Sequence, residues 1–206
     1  METQSGDIDL RTLILETSRD MLVREGYAGL SMRKIAASIG YSATTIYHHF
    51  QSKDQLVHAL IREGFRLLTA DVTRAGMASA SADAALQSMC RAYVLFGLGN
   101  PGYYEVMFSL HPETMSRYPA IDYREARGIL DLAADLIRKG QRDGLFETGD
   151  CRVAANVLWF QMHGVVSLLY ASRVDMSLDR QKLTEAAINA ALAAVRLGVA
   201  ESKAYG

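Results

Sequence analysis

Between positions 31 and 53 the chain reads SMRKIAASIGYSATTIYHHFQSK, and the side chains there that could do chemistry are cations and hydroxyls rather than paired acids or nucleophiles. From 31 to 62 the cations Arg33, Lys34, Lys53 and Arg62 stand against one acid, Asp54, a net of +3. Residues 1–30 carry the opposite balance, six acids against three arginines, so the overall net charge of −1 hides a local positive field. Local field rather than total charge attracts phosphate, and phosphate is the natural counter-charge for this stretch. Thr44, Thr45, Tyr47 and His48 add hydroxyls, a phenol and an imidazole beside it.

The elements that must hold these groups are two short helices. Ser31 can cap the first, in which Ile35, Ala36 and Ile39 recur at helical spacing, and Gly40 supplies the φ > 0 position that ends it. Ser42 can cap the second, with Ile46 and Phe50 four apart on one face. Ser52 and Gln55 fit a capping box, so a third helix starts at once. Two helices joined by a turn of three or four residues form a helix-turn-helix, a motif that many helical proteins also use without touching DNA; the positive balance favours the DNA-facing reading. Lys34 lies in the first turn, where the helix dipole disfavours a cation, and a phosphate contact or an ordinary solvated lysine accounts for it.

These residues resemble the TetR family of bacterial transcription regulators, whose helix-turn-helix ends in a pattern like T-[ILV]-Y-x-H-F-x-[SN]-K. Here the pattern is Thr45, Ile46, Tyr47, His48, His49, Phe50, Gln51, Ser52 and Lys53, and the likeness runs back through Ile14, Leu15, Ser18, Leu22, Gly26 and Tyr27 and on to Leu56 and Leu60. The resemblance implies that Arg33, Lys34, Ala43, Thr44, Thr45, Tyr47, His48 and Lys53 lie at the interface with double-stranded operator DNA. Ala43 and Thr44 are small, which leaves few long side chains to read bases. The family likeness also implies a homodimer built from the last two long helices, a small-molecule effector and a cytoplasmic repressor.

Rival chemistry is thin. The string at 97–102, with Gly97, Gly99 and Gly102, satisfies G-x-G-x-x-G and has Asp122 twenty residues later. A dinucleotide site needs a strand before the glycines, whereas the preceding residues have helical period; Asn100 as N-cap and Pro101 at the first helical position explain the same string as a helix start. A cofactor-dependent helical enzyme built on this segment, or a protein-only helical adaptor, is the alternative. No HExxH, Walker loop or GxSxG occurs, so no catalytic residue, cofactor or metal ligand is assigned. Cys90 and Cys151, lacking metal or CxxC spacing, read as small core residues in a reducing compartment. No charged-then-apolar leader opens the chain, and the apolar run at 153–171 is interrupted by Asn156, Gln161, His163 and Ser167; no secretion and no membrane partner are expected.

The 206-residue chain as a whole, half of it hydrophobic, reads as all-α, with a helix-turn-helix domain at 1–70 and a helical sensing and dimerising domain at 71–206. Helical periods recur through Leu86, Met89, Cys90, Tyr93 and Val94, and through Ile129, Leu132, Ala133, Leu136 and Ile137. The last helix, from about 179 to 199, is alanine-rich with Leu183, Ile188, Leu192 and Val195 as its large members; it suits a stable terminal helix or a dimer contact, in which Leu192 is expected. Tyr93, Phe96, Tyr103, Tyr104, Met107, Phe108, Trp159, Met162 and His163 form a candidate ligand-binding set for an apolar or aromatic effector, with ordinary core packing as the competing account. Trp159, His163 and Gly164, spaced W-x-x-x-H-G, resemble a motif of one group of TetR-family ligand-binding domains.

Overall fold

The structure, a computed structural model, describes residues 9–108, 119, 122, 124, 127–175 and 177–198. Among them there are nine helices and no strand: α1 (Leu10–Gly29), α2 (Met32–Ile39), α3 (Ala43–His49), α4 (Lys53–Met77), α5 (Ala82–Gly99), α6 (Pro101–Phe108), α7 (Gly128–Arg142), α8 (Cys151–Tyr170) and α9 (Arg180–Arg196). The all-α expectation holds. Of the three prolines, Pro101 opens α6, Pro119 lies between helices and Pro112 falls outside the described residues.

The chain divides into two compact units, Met1–Phe65 with Pro101–Pro119, and Arg66–Asn100 with Ala120–Gly206. The first is therefore discontinuous in sequence, unlike the contiguous division expected near residue 70. Its core is made by Ile14, Leu22, Ile35, Ile46, Phe50, Leu56 and Leu60, all nearly inaccessible, each contributing roughly 1.5–3 kcal/mol by leaving water. Within this unit α6 packs on α1, and glycines make room for it. A Cβ on Gly102 would lie 3.2 Å from Arg19 Cδ, and one on Gly64 would lie 2.5 Å from Met107 Sδ. The Arg19 guanidinium stands 5.0 Å from the centre of the Tyr103 ring.

In the second unit α8 packs against α5, α7 and α9. It is long and apolar enough to cross a membrane, yet Ala154, Ala155, Leu158, Met162, Val166 and Leu169 give it one buried face. Asp150 caps its start by accepting from the Arg152 and Val153 amides at 2.7 and 3.2 Å. Three polar pairs join α5 to α9 in antiparallel order: Asp83 with Arg196, Gln87 with Asn189, and Arg91 with Glu185. Both arginine pairs are bidentate, at 2.7 and 2.8 Å in each case. Being partly exposed, they contribute roughly 0.2–1 kcal/mol each and act mainly on register.

Two sequence expectations change here. Asn100 serves the end of α5, its amide N–H and Nδ2 both donating to the Phe96 carbonyl at 2.8 and 3.1 Å, rather than capping α6. The glycine string at 97–102 thus spans a helix-to-helix junction, without the strand that a dinucleotide site requires. Leu192, expected at a dimer contact, is 1% exposed within its own protomer, as are Ile188 and Val195 at 0% and 4%. Ile188, Ala191, Leu192 and Val195 of α9 face the core, while Ala186 and Ala190 face out.

Candidate nucleic-acid interface and an apolar cavity

The first site is built by α2 and α3. Gly40, with φ of 75°, ends α2 in the left-handed region and lets the Tyr41 amide reach the Ala36 carbonyl at 2.9 Å. Ser42 then starts α3, its Oγ accepting from the Thr45 amide at 3.1 Å. Ser31 begins α2 with extended backbone but makes no side-chain cap bond. At the other end of α3, Ser52 Oγ accepts from the Gln55 amide at 3.1 Å, and Gln55 Oε1 accepts from the Gln51 amide at 2.6 Å, a capping box displaced by one residue.

Burial of Ile46 and Phe50 fixes which way α3 faces. Thr44, Tyr47 and His48 are exposed, Ala43 and Thr45 half-buried, and Arg33 of α2 is exposed nearby in the sequence. Tyr41, in the turn, is 47% exposed. The two expected phosphate lysines are differently employed. Lys34 Nζ donates to Glu25 Oε2 at 2.8 Å and to the Gly29 carbonyl at 3.2 Å, and this hydrogen bond holds the Glu25 carboxyl below its ordinary range. Lys53 Nζ donates to the carbonyls of Tyr27 and Leu30 at 2.8 and 3.3 Å and lies 3.9 Å from the centre of the Tyr27 ring. Both ammonium groups therefore clasp carbonyls at and just past the end of α1, beyond its break at Gly26. That differs from the phosphate role expected for them. It also explains the cation in the first turn of α2: its partner is on α1. Tyr27 completes the corner by donating its hydroxyl to Asp54, and burial followed by this bond pushes its pKa up to about 12.

The second site lies wholly in the second unit. A cleft between α5, α7 and α8, with Val72 of α4, is lined by Leu86, Met89, Cys90, Tyr93, Ile129, Leu130, Ala133, Ala155, Leu158, Trp159 and Met162. The space between its atoms is about 380 Å³ when the solvent at its open side is included, and the cleft itself is narrow. Among the described residues no polar atom forms part of its surface. The reason lies just behind the wall: Trp159 Nε1 donates to the Tyr93 hydroxyl at 3.1 Å, and that hydroxyl meets His163 Nδ1 at 3.3 Å. Burial lowers the His163 pKa, which keeps the ring neutral and able to accept. Burial likewise raises the Cys90 thiol to about 12, leaving it protonated.

Of the expected ligand-binding set, Tyr93, Trp159 and Met162 line this cleft and His163 supports it from behind. Phe96 is buried in α5 but is not on the wall. Tyr103, Tyr104, Met107 and Phe108 belong to α6 in the first unit and are not brought to the cleft; Phe108 instead packs edge-on to Phe65 at 5.6 Å. The aliphatic wall residues went unassigned in the sequence, although their three-and-four spacing was visible. Both cysteines are buried and unpaired.

Comparison with known proteins agrees with this arrangement. A family profile described as bacterial regulatory proteins, tetR family, matches residues 14–60, and one described as tetracyclin repressor-like, C-terminal domain, matches residues 86–191. The HTH-type transcriptional repressor Rv1474c of Mycobacterium tuberculosis is 36% identical over 67 residues, 32% of this chain and 36% of that protein. The HTH-type transcriptional regulator UidR of Escherichia coli K12 is 41% identical over 51 residues, 25% of this chain and 26% of its own. The alignments thus span well under half the length of these curated relatives. Solved structures share the fold over nearly the whole chain: a protein of unknown function from Rhodococcus sp. RHA1 superposes with a TM-score of 0.80 at 24% identity, covering 95% of this chain and 100% of that one. AibR in complex with isovaleryl coenzyme A and operator DNA superposes with a TM-score of 0.70 at 22% identity, covering 87% and 96%. With one profile over the α1–α4 segment and the other over more than half of the chain, this protein belongs to the TetR family of bacterial regulatory proteins.

Proposed function

We propose that the protein is a homodimeric, ligand-responsive repressor that binds a pseudo-palindromic operator through α2 and α3 and is released when a small apolar effector fills the cleft of the second unit. The observation that carries the reading is the exposed face of α3, with Thr44, Tyr47 and His48 outward and Ile46 and Phe50 anchoring it from behind. Thr44, Thr45 and His48 are the residues for base edges, and Arg33 with Tyr47 and the turn residue Tyr41 those for the backbone. AibR, with its bound acyl thioester and operator DNA, is a relative in fold for which both partners are known.

A single α3 reads only one half-site, so a dimer that spaces two copies by about 34 Å, or a multiple, is needed. The outward residues of α8 and α9 support one: Val153, Phe160 and Leu168 are 48%, 60% and 51% exposed, Gly164 has open space where a Cβ would stand, and Ala186 and Ala190 are exposed on α9. An effector acts only through its differential affinity for dimers of different spacing; a hundredfold preference corresponds to about 2.7 kcal/mol against operator binding, and operator must weaken effector binding by the same factor. The protein works in the cytoplasm, where its DNA is.

Capture of genomic fragments on the protein, followed by footprinting, tests the reading. Protection of a two-fold symmetric site is expected, and Thr44→Ala or His48→Ala should change which bases are preferred. Uniform binding to all fragments, or none, would overturn it.

A further inference from the structure

The cleft of the second unit is walled by α5, α7 and α8 and includes two side chains with polar atoms, yet presents none of them. The Trp159 N–H is taken by the Tyr93 hydroxyl and that hydroxyl lies against His163 Nδ1, so the indole and phenol offer only carbon to the space between them. Cys90 adds a thiol that stays protonated, and Leu158 and Met162 complete an uncharged wall. A charge placed there has no partner among the wall residues, and burying an unpaired charge is costly whereas a hydrocarbon gains from every contact.

The geometry points to a specific effector class, resting on the proposed regulatory reading: a slender, electrically neutral, hydrocarbon-like molecule, because none of the described wall residues offers a group to receive the charge of a carboxylate or phosphate placed inside the cleft. The hydrogen-bonded Trp159, Tyr93 and His163 act as the selecting device, because they withdraw the polar atoms that would otherwise welcome a polar ligand.

Trp159 is the sole tryptophan of the chain and stands on the cleft wall, so its fluorescence reports occupancy without a label. The test titrates the full-length protein with n-butylbenzene and with 4-phenylbutyrate, in which the terminal methyl is replaced by a carboxylate. Saturable fluorescence change and a raised melting midpoint are expected with butylbenzene, and binding at least about 100-fold weaker with phenylbutyrate. Ala133→Phe and, separately, Ala155→Phe fill the cleft; whichever variant retains the helical circular dichroism of the wild type should lose the butylbenzene response. Phenylbutyrate binding within tenfold of butylbenzene, or no saturable response to butylbenzene, overturns the proposal whatever the protein does with DNA. Butylbenzene binding that leaves operator affinity unchanged overturns the regulatory reading instead, and leaves the chemistry of the cleft standing.

Discussion

Replacing Lys53 by methionine keeps the aliphatic stem and deletes the ammonium, which separates two roles for this residue. In the structure the ammonium donates to the Tyr27 and Leu30 carbonyls at 2.8 and 3.3 Å and lies 3.9 Å from the Tyr27 ring centre. A hydrogen bond from a charged donor contributes about 1.5–3 kcal/mol, and a cation–π contact at an exposed site about 0.5–1 kcal/mol. Lys53 is only half-buried, so water reclaims part of the loss at both carbonyls. We expect a net destabilisation of about 2 kcal/mol, a fall of about 4–8 °C in melting midpoint for a chain of this size. If Lys53 instead neutralised a phosphate, the plot of log affinity against log salt would become shallower by about 0.9 per contact. The expected outcome is a lowered melting midpoint and weaker operator binding at an unchanged salt slope, with Lys53→Arg recovering part of both. A slope shallower by about 0.9 per subunit at an unchanged midpoint would refute the structural role.

Leu168→Asp and Phe160→Asp should give monomers that melt near the wild-type temperature, because both residues are more than half exposed; Leu192→Ala should instead cost about 2–5 kcal/mol in urea titration, since Leu192 is buried in its own protomer. Sedimentation velocity on all three distinguishes interface from core, and a stable dimer for both aspartate variants would count against the α8 contact. Because burial lowers the His163 pKa, the unfolded chain takes up the proton first as pH falls below its ordinary value of 6.5. Stability should therefore be full above pH 6.5 and decline beneath it, and His163→Gln should remove part of that decline in urea midpoints measured across the window. Tyr27, raised to about 12, works the other way: its contribution should be present below pH 10 and lost as pH rises from 10 to 12, a loss absent from Tyr27→Phe.

The helix-turn-helix was legible because its signals are local. A left-handed glycine at Gly40, a serine cap at Ser42 and the spacing of Ile46 and Phe50 each act within one or two turns of chain. The lysine clasp was not legible, since the carbonyls that Lys53 finds are 26 and 23 residues away and become available only where α1 breaks at Gly26, with φ of 67°. The aromatic set misled for a related reason. Tyr93 and Tyr103 are ten residues apart and chemically alike, but the chain leaves one compact unit for the other at Asn100, and composition carries no record of that division. For α9 composition does not say which face is inward: Ile188, Ala191, Leu192 and Val195 are buried while Ala186 and Ala190 are exposed, and only the partners of α9 decide it.

The polar pairs between α5 and α9 close loops of 113, 102 and 94 residues, through Asp83 with Arg196, Gln87 with Asn189 and Arg91 with Glu185. On a ribosome adding about 5–20 residues per second, α5 emerges roughly 5–20 seconds before α9, its partner in these pairs, exists. Within that interval α7 and then α8, which also pack on α5, are made, so the buried face of α5, with Leu86, Met89, Tyr93 and Val94, is covered in stages. The second unit is thus completed from its end: the three pairs that set the register of α5 against α9 form only when α9 docks.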